Sequence, residues 1–99
     1  KESPYKDGTY TGTAQGYSGT VTLTAKIKKG IIKSLDVKHT DTPQFFQKAW
    51  EVLENSIIQN QSADGIDTVS GATYSSKGIL NAMKDIQKQA AKILIDAIL

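Results

Sequence analysis

The run Asp67-Thr68-Val69-Ser70-Gly71-Ala72-Thr73-Tyr74-Ser75-Ser76 carries most of the chemistry this chain has to offer. Ser70, Thr73, Ser75 and Ser76 place hydroxyls within seven positions, beside a glycine and an alanine that keep bulk away from the backbone. The apolar periodicity that follows makes this turn the start of a helix. The first N–H groups of a helix have no acceptor inside it, and together with the helix dipole they favour an anion. A threonine hydroxyl at such a place either hydrogen-bonds a phosphate or is esterified by one. Asp, Ser and Thr ahead of an apolar helical run are also ordinary capping residues. The turn alone leaves both readings open, with the plain helix start the commoner. It lacks the Gly-Lys-Ser/Thr ending of a nucleotide-hydrolase phosphate loop and the spaced glycines of a dinucleotide fingerprint.

Composition narrows the chemistry further. The 99 residues suit one domain with one modest core. The net charge is +2, from 12 basic and 10 acidic residues, and the lysines are dispersed. That pattern argues against a nucleic-acid partner, which calls for a clustered basic stripe. Lys26, Lys28, Lys29, Lys33 and Lys38 read as a solvated face that discourages strand addition. Arginine is absent, so no fork-shaped phosphate clamp is available. Cysteine is absent too, which removes disulfides, thiolate catalysis, iron–sulfur ligation and cysteine-rich zinc sites. No metal site and no catalytic set is expected. His39 is the one histidine, and without a nucleophile–base–carboxylate set it reads as structural. No apolar run reaches the ~20 residues that span a bilayer, and no signal peptide is visible. The opening Lys1-Glu2-Ser3-Pro4 reads as the tail of a linker after a leader or preceding domain.

The elements that must hold the turn are legible in outline. Residues 9–14 alternate, Gly16-Tyr17-Ser18-Gly19 breaks the pattern, and Val21, Leu23, Ala25 and Ile27 form the apolar side of a second strand. Lys29-Gly30 is a tight turn. A third strand over 31–38 is expected to point Ile31, Leu35 and Val37 inward. Thr42 and Pro43 then start a helix whose stripe holds Phe45, Phe46, Ala49, Trp50, Val52, Leu53 and Ile57. Residues 55–67 read as a polar connection, with a short strand at 66–69. From Thr73 onward the chain reads as one helix with Ile79, Leu80, Met83, Ile86 and Ala90 on its stripe. The expected fold is α+β: an antiparallel meander packed against two main helices. The expected organisation is a linker at 1–4, a domain at 5–91 and an apolar helical extension at 92–99.

The spacing Asp67-x-x-Ser70-Gly71-Ala72-Thr73 resembles the flavinylation motif of the FMN-binding domain family. Three further blocks are similar in the same order. Tyr5 to Gly12 looks like its opening strand, Gly16 to Gly19 like its glycine-rich turn, and His39-Thr40-Asp41-Thr42-Pro43 like its histidine–acid–Thr-Pro segment. The likeness covers about 5–91. The family includes subunits of sodium-pumping NADH:quinone reductases, related electron-transport complexes and surface flavoproteins. The resemblance implies FMN attached by its phosphate to Thr73, by a separate magnesium-dependent flavin transferase that uses FAD and releases AMP. It implies a cofactor-binding set of Thr73, Ser70, Gly71, Ala72, Asp67, Tyr17, Gly16, His39, Thr42 and Lys77. In that set Asp67 serves modification, Tyr17 stacks on the ring (Tyr74 being a second candidate), His39 lies near the flavin and Lys77 neutralises the phosphate or is merely solvated. The family often follows Thr-Pro with glycine, whereas Gln44-Phe45 follows here.

The implied function is an electron carrier rather than a stand-alone catalyst. It shuttles electrons between redox partner proteins in an extracytoplasmic, cell-surface or membrane-associated chain, with any membrane association through segments outside these residues. The alternatives are an electron-feeding FMN subdomain of a larger flavin-dependent reductase, or a module that holds FMN noncovalently.

Overall fold

The sheet forms because its segments alternate. The computed structural model describes residues 4–91, so the extension expected at 92–99 lies outside the described residues. β1 (Gly8–Gln15), β2 (Thr20–Lys28) and β3 (Ile31–Lys38) pair antiparallel in the order β1-β2-β3. Val21, Leu23, Ala25 and Ile27 of β2 are buried, and the threonines and lysines between them face outward. Lys29 and Gly30 both take positive φ (54° and 74°), the geometry of a two-residue hairpin turn matched to strand twist. The Asp7 carboxylate accepts both turn amides, from Lys29 at 2.9 Å and Gly30 at 2.8 Å.

β3 departs from simple alternation. Lys26 pairs with Ser34 but Ile27 pairs with Ile32, so Lys33 is an extra residue bulged out of the ladder. The bulge shifts the phase of the strand: Ile32 and Leu35 are buried, Val37 is half-buried, and Ile31, expected inward, is exposed.

Two helices cover one face. α1 (Pro43–Asn60) starts with Thr42 as N-cap and Pro43 in its first turn. It runs through residues expected as a loop, because Ile57 keeps its stripe in the core until Gln61 closes it in a left-handed conformation (φ 61°). Phe46, Ala49, Leu53 and Ile57 are buried and Trp50 is half-buried, whereas Phe45 and Val52 are exposed. The strand expected at 66–69 does not form. Its backbone groups are taken locally: Ile66 N–H by the Ala63 carbonyl at 3.3 Å, and the Val69 carbonyl by Ala72 N–H at 3.0 Å. α2 (Thr73–Ala90) buries Ile79, Ala82, Met83, Ile86 and Ala90. It stops where Ala91 turns extended and bridges to Tyr5, so the helix does not continue unbroken as expected.

α2 lies directly on β1. A side chain at Gly12 would collide with the Ala82 carbonyl and come within 2.9 Å of Ile86 Cγ1. The exposed edge of β1 is covered in the same way: Thr13 N–H donates to Asp85 Oδ2 at 3.1 Å, and Gln89 Nε2 donates to the Thr11 carbonyl at 2.7 Å. Gly12→Ala must push α2 off the sheet. It is expected to lower stability by about 2 kcal/mol, the usual scale for overpacking. Thermal melting against the native chain checks this, and an unchanged melt would show that α2 is held elsewhere.

Candidate functional site

Three segments distant in sequence meet at the start of α2: the 16–19 turn, the 39–43 segment and the 69–76 turn. Asp41 joins them. It is 4% exposed. Its carboxylate accepts Tyr17 N–H at 3.0 Å, Ser18 N–H at 2.8 Å and Ser75 Oγ at 2.6 Å, with Ser18 Oγ at 3.3 Å. Burial pushes the carboxyl pKa up. The bonds from Ser75, Ser18 and Tyr17 outweigh burial and hold it below the usual aspartate value. Gly16 leaves room for this contact, since a Cβ there would lie 2.7 Å from Asp41 Oδ2. His39 supports the same loop from the other side. Its Nδ1 accepts Asp41 N–H at 3.1 Å, and its ring stacks on Phe46 with centroids 3.6 Å apart and planes 9° from parallel.

The motif turn is closed on itself. Val69 N–H donates to Ser76 Oγ at 3.0 Å, and Ser76 Oγ donates to the Ala72 carbonyl at 2.7 Å. Gly71 sits at φ +84°, a left-handed conformation that other residues rarely adopt. The N-cap of α2 is Ala72, which has no side chain to cap with. The amides of Thr73, Tyr74 and Ser75 therefore find no acceptor among the described residues. The plain capping reading of the turn does not hold, and the helix start keeps its capacity for an anion.

The hydroxyls of the motif now separate. Ser75 is committed to Asp41 and Ser76 to the turn backbone, and both are buried. Ser70 is exposed but lies outside the groove described next. Thr73 is exposed and lines it.

That groove is a half-open cavity of about 240 Å³ lined by Tyr17, Thr42, Phe45, Gly71, Ala72, Thr73, Tyr74 and Ser75. It is smaller than the ~300–1,000 Å³ pockets that enclose whole ligands. A molecule seated here keeps part of its surface in solvent. Tyr17, Tyr74 and Phe45 are 66%, 60% and 50% exposed, and the two tyrosine rings stand 5.9 Å apart at 41°. Exposed aromatic rings beside free helix amides and a free hydroxyl fit a ligand with a flat conjugated ring at one end and a phosphate at the other. No carboxylate lines the groove among the described residues.

Of the residues expected at the site, the structure brings Thr73, Gly71, Ala72, Tyr17 and Thr42 together along the groove. Gly16 and His39 stand behind it, shaping the Asp41 loop. Ser70 and Asp67 are exposed on the approach to the turn, and neither lines the groove. Lys77 points its ammonium at the Tyr74 ring, 5.9 Å from the centroid, and lies outside the lining. Asp41 is not among the residues expected at the site, and Phe45, expected on the apolar stripe of α1, lines the groove instead. The one available signal for Asp41 is its place in the His39–Pro43 block.

Comparisons with known proteins agree with this geometry. A family model described as FMN-binding domain matches residues 16–88. A protein of Treponema pallidum (strain Nichols), named only as uncharacterized, is 36% identical over 85 residues, which is 85% of this chain and 23% of that protein. The chain thus spans under a quarter of that relative's length.

Proposed function

The chain belongs to the FMN-binding domain family, and we propose that this member carries its FMN as a phosphoester on Thr73 and passes electrons between redox partner proteins. The observation that carries this reading is the sorting of the aliphatic hydroxyls: of Ser70, Thr73, Ser75 and Ser76, Thr73 alone is both exposed and on the groove. Attachment is a phosphoryl-group transfer made by a magnesium-dependent flavin transferase. Thr73 Oγ bonds to the flavin-side phosphorus of FAD, the pyrophosphate P–O bond breaks, AMP leaves, and the hydroxyl proton passes to the transferase or water. Exposed Asp67, three residues before Ser70, is positioned for the transferase to reach.

When bound, the flavin supplies one- and two-electron redox chemistry, and the chain supplies placement. The Thr73–Ser75 amides would hold the phosphate, Gly71 would clear its approach, and Tyr17, Phe45 and Tyr74 would flank the ring. The groove is half open, which suits a carrier that meets partner proteins better than a stand-alone catalyst. A tethered flavin is not lost to dilution, which suits an extracytoplasmic, cell-surface or membrane-associated setting. No helix among the described residues is long and apolar enough to cross a membrane, and membrane association would come through other segments. The length of the Treponema pallidum relative favours one second reading, in which the domain feeds electrons to other parts of a larger flavin-dependent reductase.

The test is co-expression of the chain with a flavin transferase, followed by denaturation and desalting. Retained flavin absorbance and a mass gain of one FMN less one water are expected. Flavin that washes out on denaturation would leave a noncovalent module instead.

A further inference from the structure

The chain has no arginine, so a phosphate at Thr73 must find its cation among lysines. Lys77 is the nearest in sequence, but its ammonium is set over the Tyr74 ring at 5.9 Å. A different lysine reaches the turn from α1. Lys48 Nζ lies 3.2 Å from the point where a side chain on Gly71 would begin, and among the described residues it is the one atom from outside 70–72 within 4 Å of that point. Lys48 is not one of the lining residues, but Gly71 and Thr73 both are, so its ammonium stands beside the part of the groove that the motif turn forms. Among the described residues no carboxylate pairs with Lys48. Phe45 precedes Lys48 by one helical turn, so α1 presents a ring and an ammonium as neighbours on one face.

We infer that Lys48 is the phosphate-binding cation of this domain: it contacts the phosphodiester of the tethered flavin and steadies the added negative charge while the bond to Thr73 forms. Two features converge on this lysine. A side chain at position 71 would crowd its ammonium, so Gly71 leaves it room beside the turn. That same turn leads into the α2 amides that lack an acceptor among the described residues. A compact ammonium on a flexible stem serves as a point charge for phosphate where no guanidinium fork is available.

This inference rests on Thr73 being the attachment site, and the experiment separates the two. The full chain is incubated with transferase, magnesium and FAD, and the initial rate of mass gain is followed for the native chain, Lys48→Met, Lys48→Arg and Lys77→Met. Lys48→Met is expected to slow attachment about two- to fivefold, the scale of one partly exposed ion pair. Lys48→Arg should restore the rate and Lys77→Met should leave it unchanged. The 31P resonance of the attached phosphodiester should move in Lys48→Met, return toward native in Lys48→Arg, and stay put in Lys77→Met. A resonance unmoved by Lys48→Met overturns the inference, even if attachment slows, because the lysine then acts on the transferase. Equal effects from Lys48→Met and Lys77→Met overturn it as well, by reducing both to general charge. A native chain that gains no mass overturns the Thr73 reading and this one with it. Thermal melting confirms that each variant is folded.

Discussion

Thr73→Val gives a folded chain with no covalent flavin. Valine matches threonine in shape and removes only the oxygen. Position 73 is exposed at the first turn of α2, where surface substitutions shift stability by about 0.5 kcal/mol or less. Losing the adduct without losing the fold is therefore the expected pair of results, read by intact mass and by thermal melting. The three serines sharpen the prediction, because the structure gives each a different fate. Ser70→Ala is expected to keep the adduct and the melt, since Ser70 is exposed and off the groove. Ser75→Ala is expected to keep the adduct but lower stability by about 1–2 kcal/mol, because a charge-assisted bond to buried Asp41 is lost. Ser76→Ala leaves Val69 N–H without its acceptor and loosens the turn that presents Thr73. Attachment should slow there rather than vanish. An adduct that persists in Thr73→Val and vanishes in Ser70→Ala would move the site to Ser70 and sink the proposal.

The sequence made legible whatever rests on local periodicity. β2 alternates strictly and is buried as expected, because the one irregularity in its pairing puts the extra residue in β3 and leaves β2 in phase. The third strand was misread at Ile31 because a bulge has no local signature in Lys33. Only the pairing of Ile27 with Ile32 shows the extra residue. The end of α1 falls later than expected because the residues around Ile57 are mostly polar and read as a connection, although Ile57 itself belongs to the expected stripe and is buried. The site divides in the same way. The motif turn was visible because its glycine, small residues and hydroxyls are contiguous. Asp41 was invisible as a keystone because its donors Tyr17, Ser18 and Ser75 lie 23 to 34 positions away. Phe45 and Lys48 depend on which side of α1 meets the turn before α2, which helical periodicity alone leaves open by about 100° per residue.

The keystone carries the second large prediction. Asp41→Ala removes the acceptor for Tyr17 N–H, Ser18 N–H and Ser75 Oγ at once. Each such donor left unpaired under burial costs about 1–3 kcal/mol, although water entering the space recovers part of it. A net loss of about 3–4 kcal/mol is expected, large against the ~5–15 kcal/mol total stability of a small domain. Asp41→Asn should cost less, because the carbonyl oxygen still accepts while the new NH2 faces donors it cannot satisfy. The pH dependence follows from the same bonds. Asp41 has a depressed pKa in the folded chain relative to the ordinary 3.8, so the unfolded chain takes up its proton first as pH falls. Its stabilisation is fully present above the unfolded value and is lost as pH drops through the folded one. Melting temperatures should therefore fall below about pH 4 in the native chain, with a smaller drop in Asp41→Asn, which has no proton to take up there. The consequence extends to the groove. Asp41 fixes the amide of Tyr17 and the hydroxyl of Ser75, and so sets the distance between the 16–19 turn and α2 on which the aromatic lining depends. In Asp41→Asn, still folded near neutral pH, flavin attached at Thr73 should show greater fluorescence and altered absorbance bands as Tyr17 loses its fixed place. A native flavin spectrum in that variant would show that Asp41 secures the fold alone and does not shape the site.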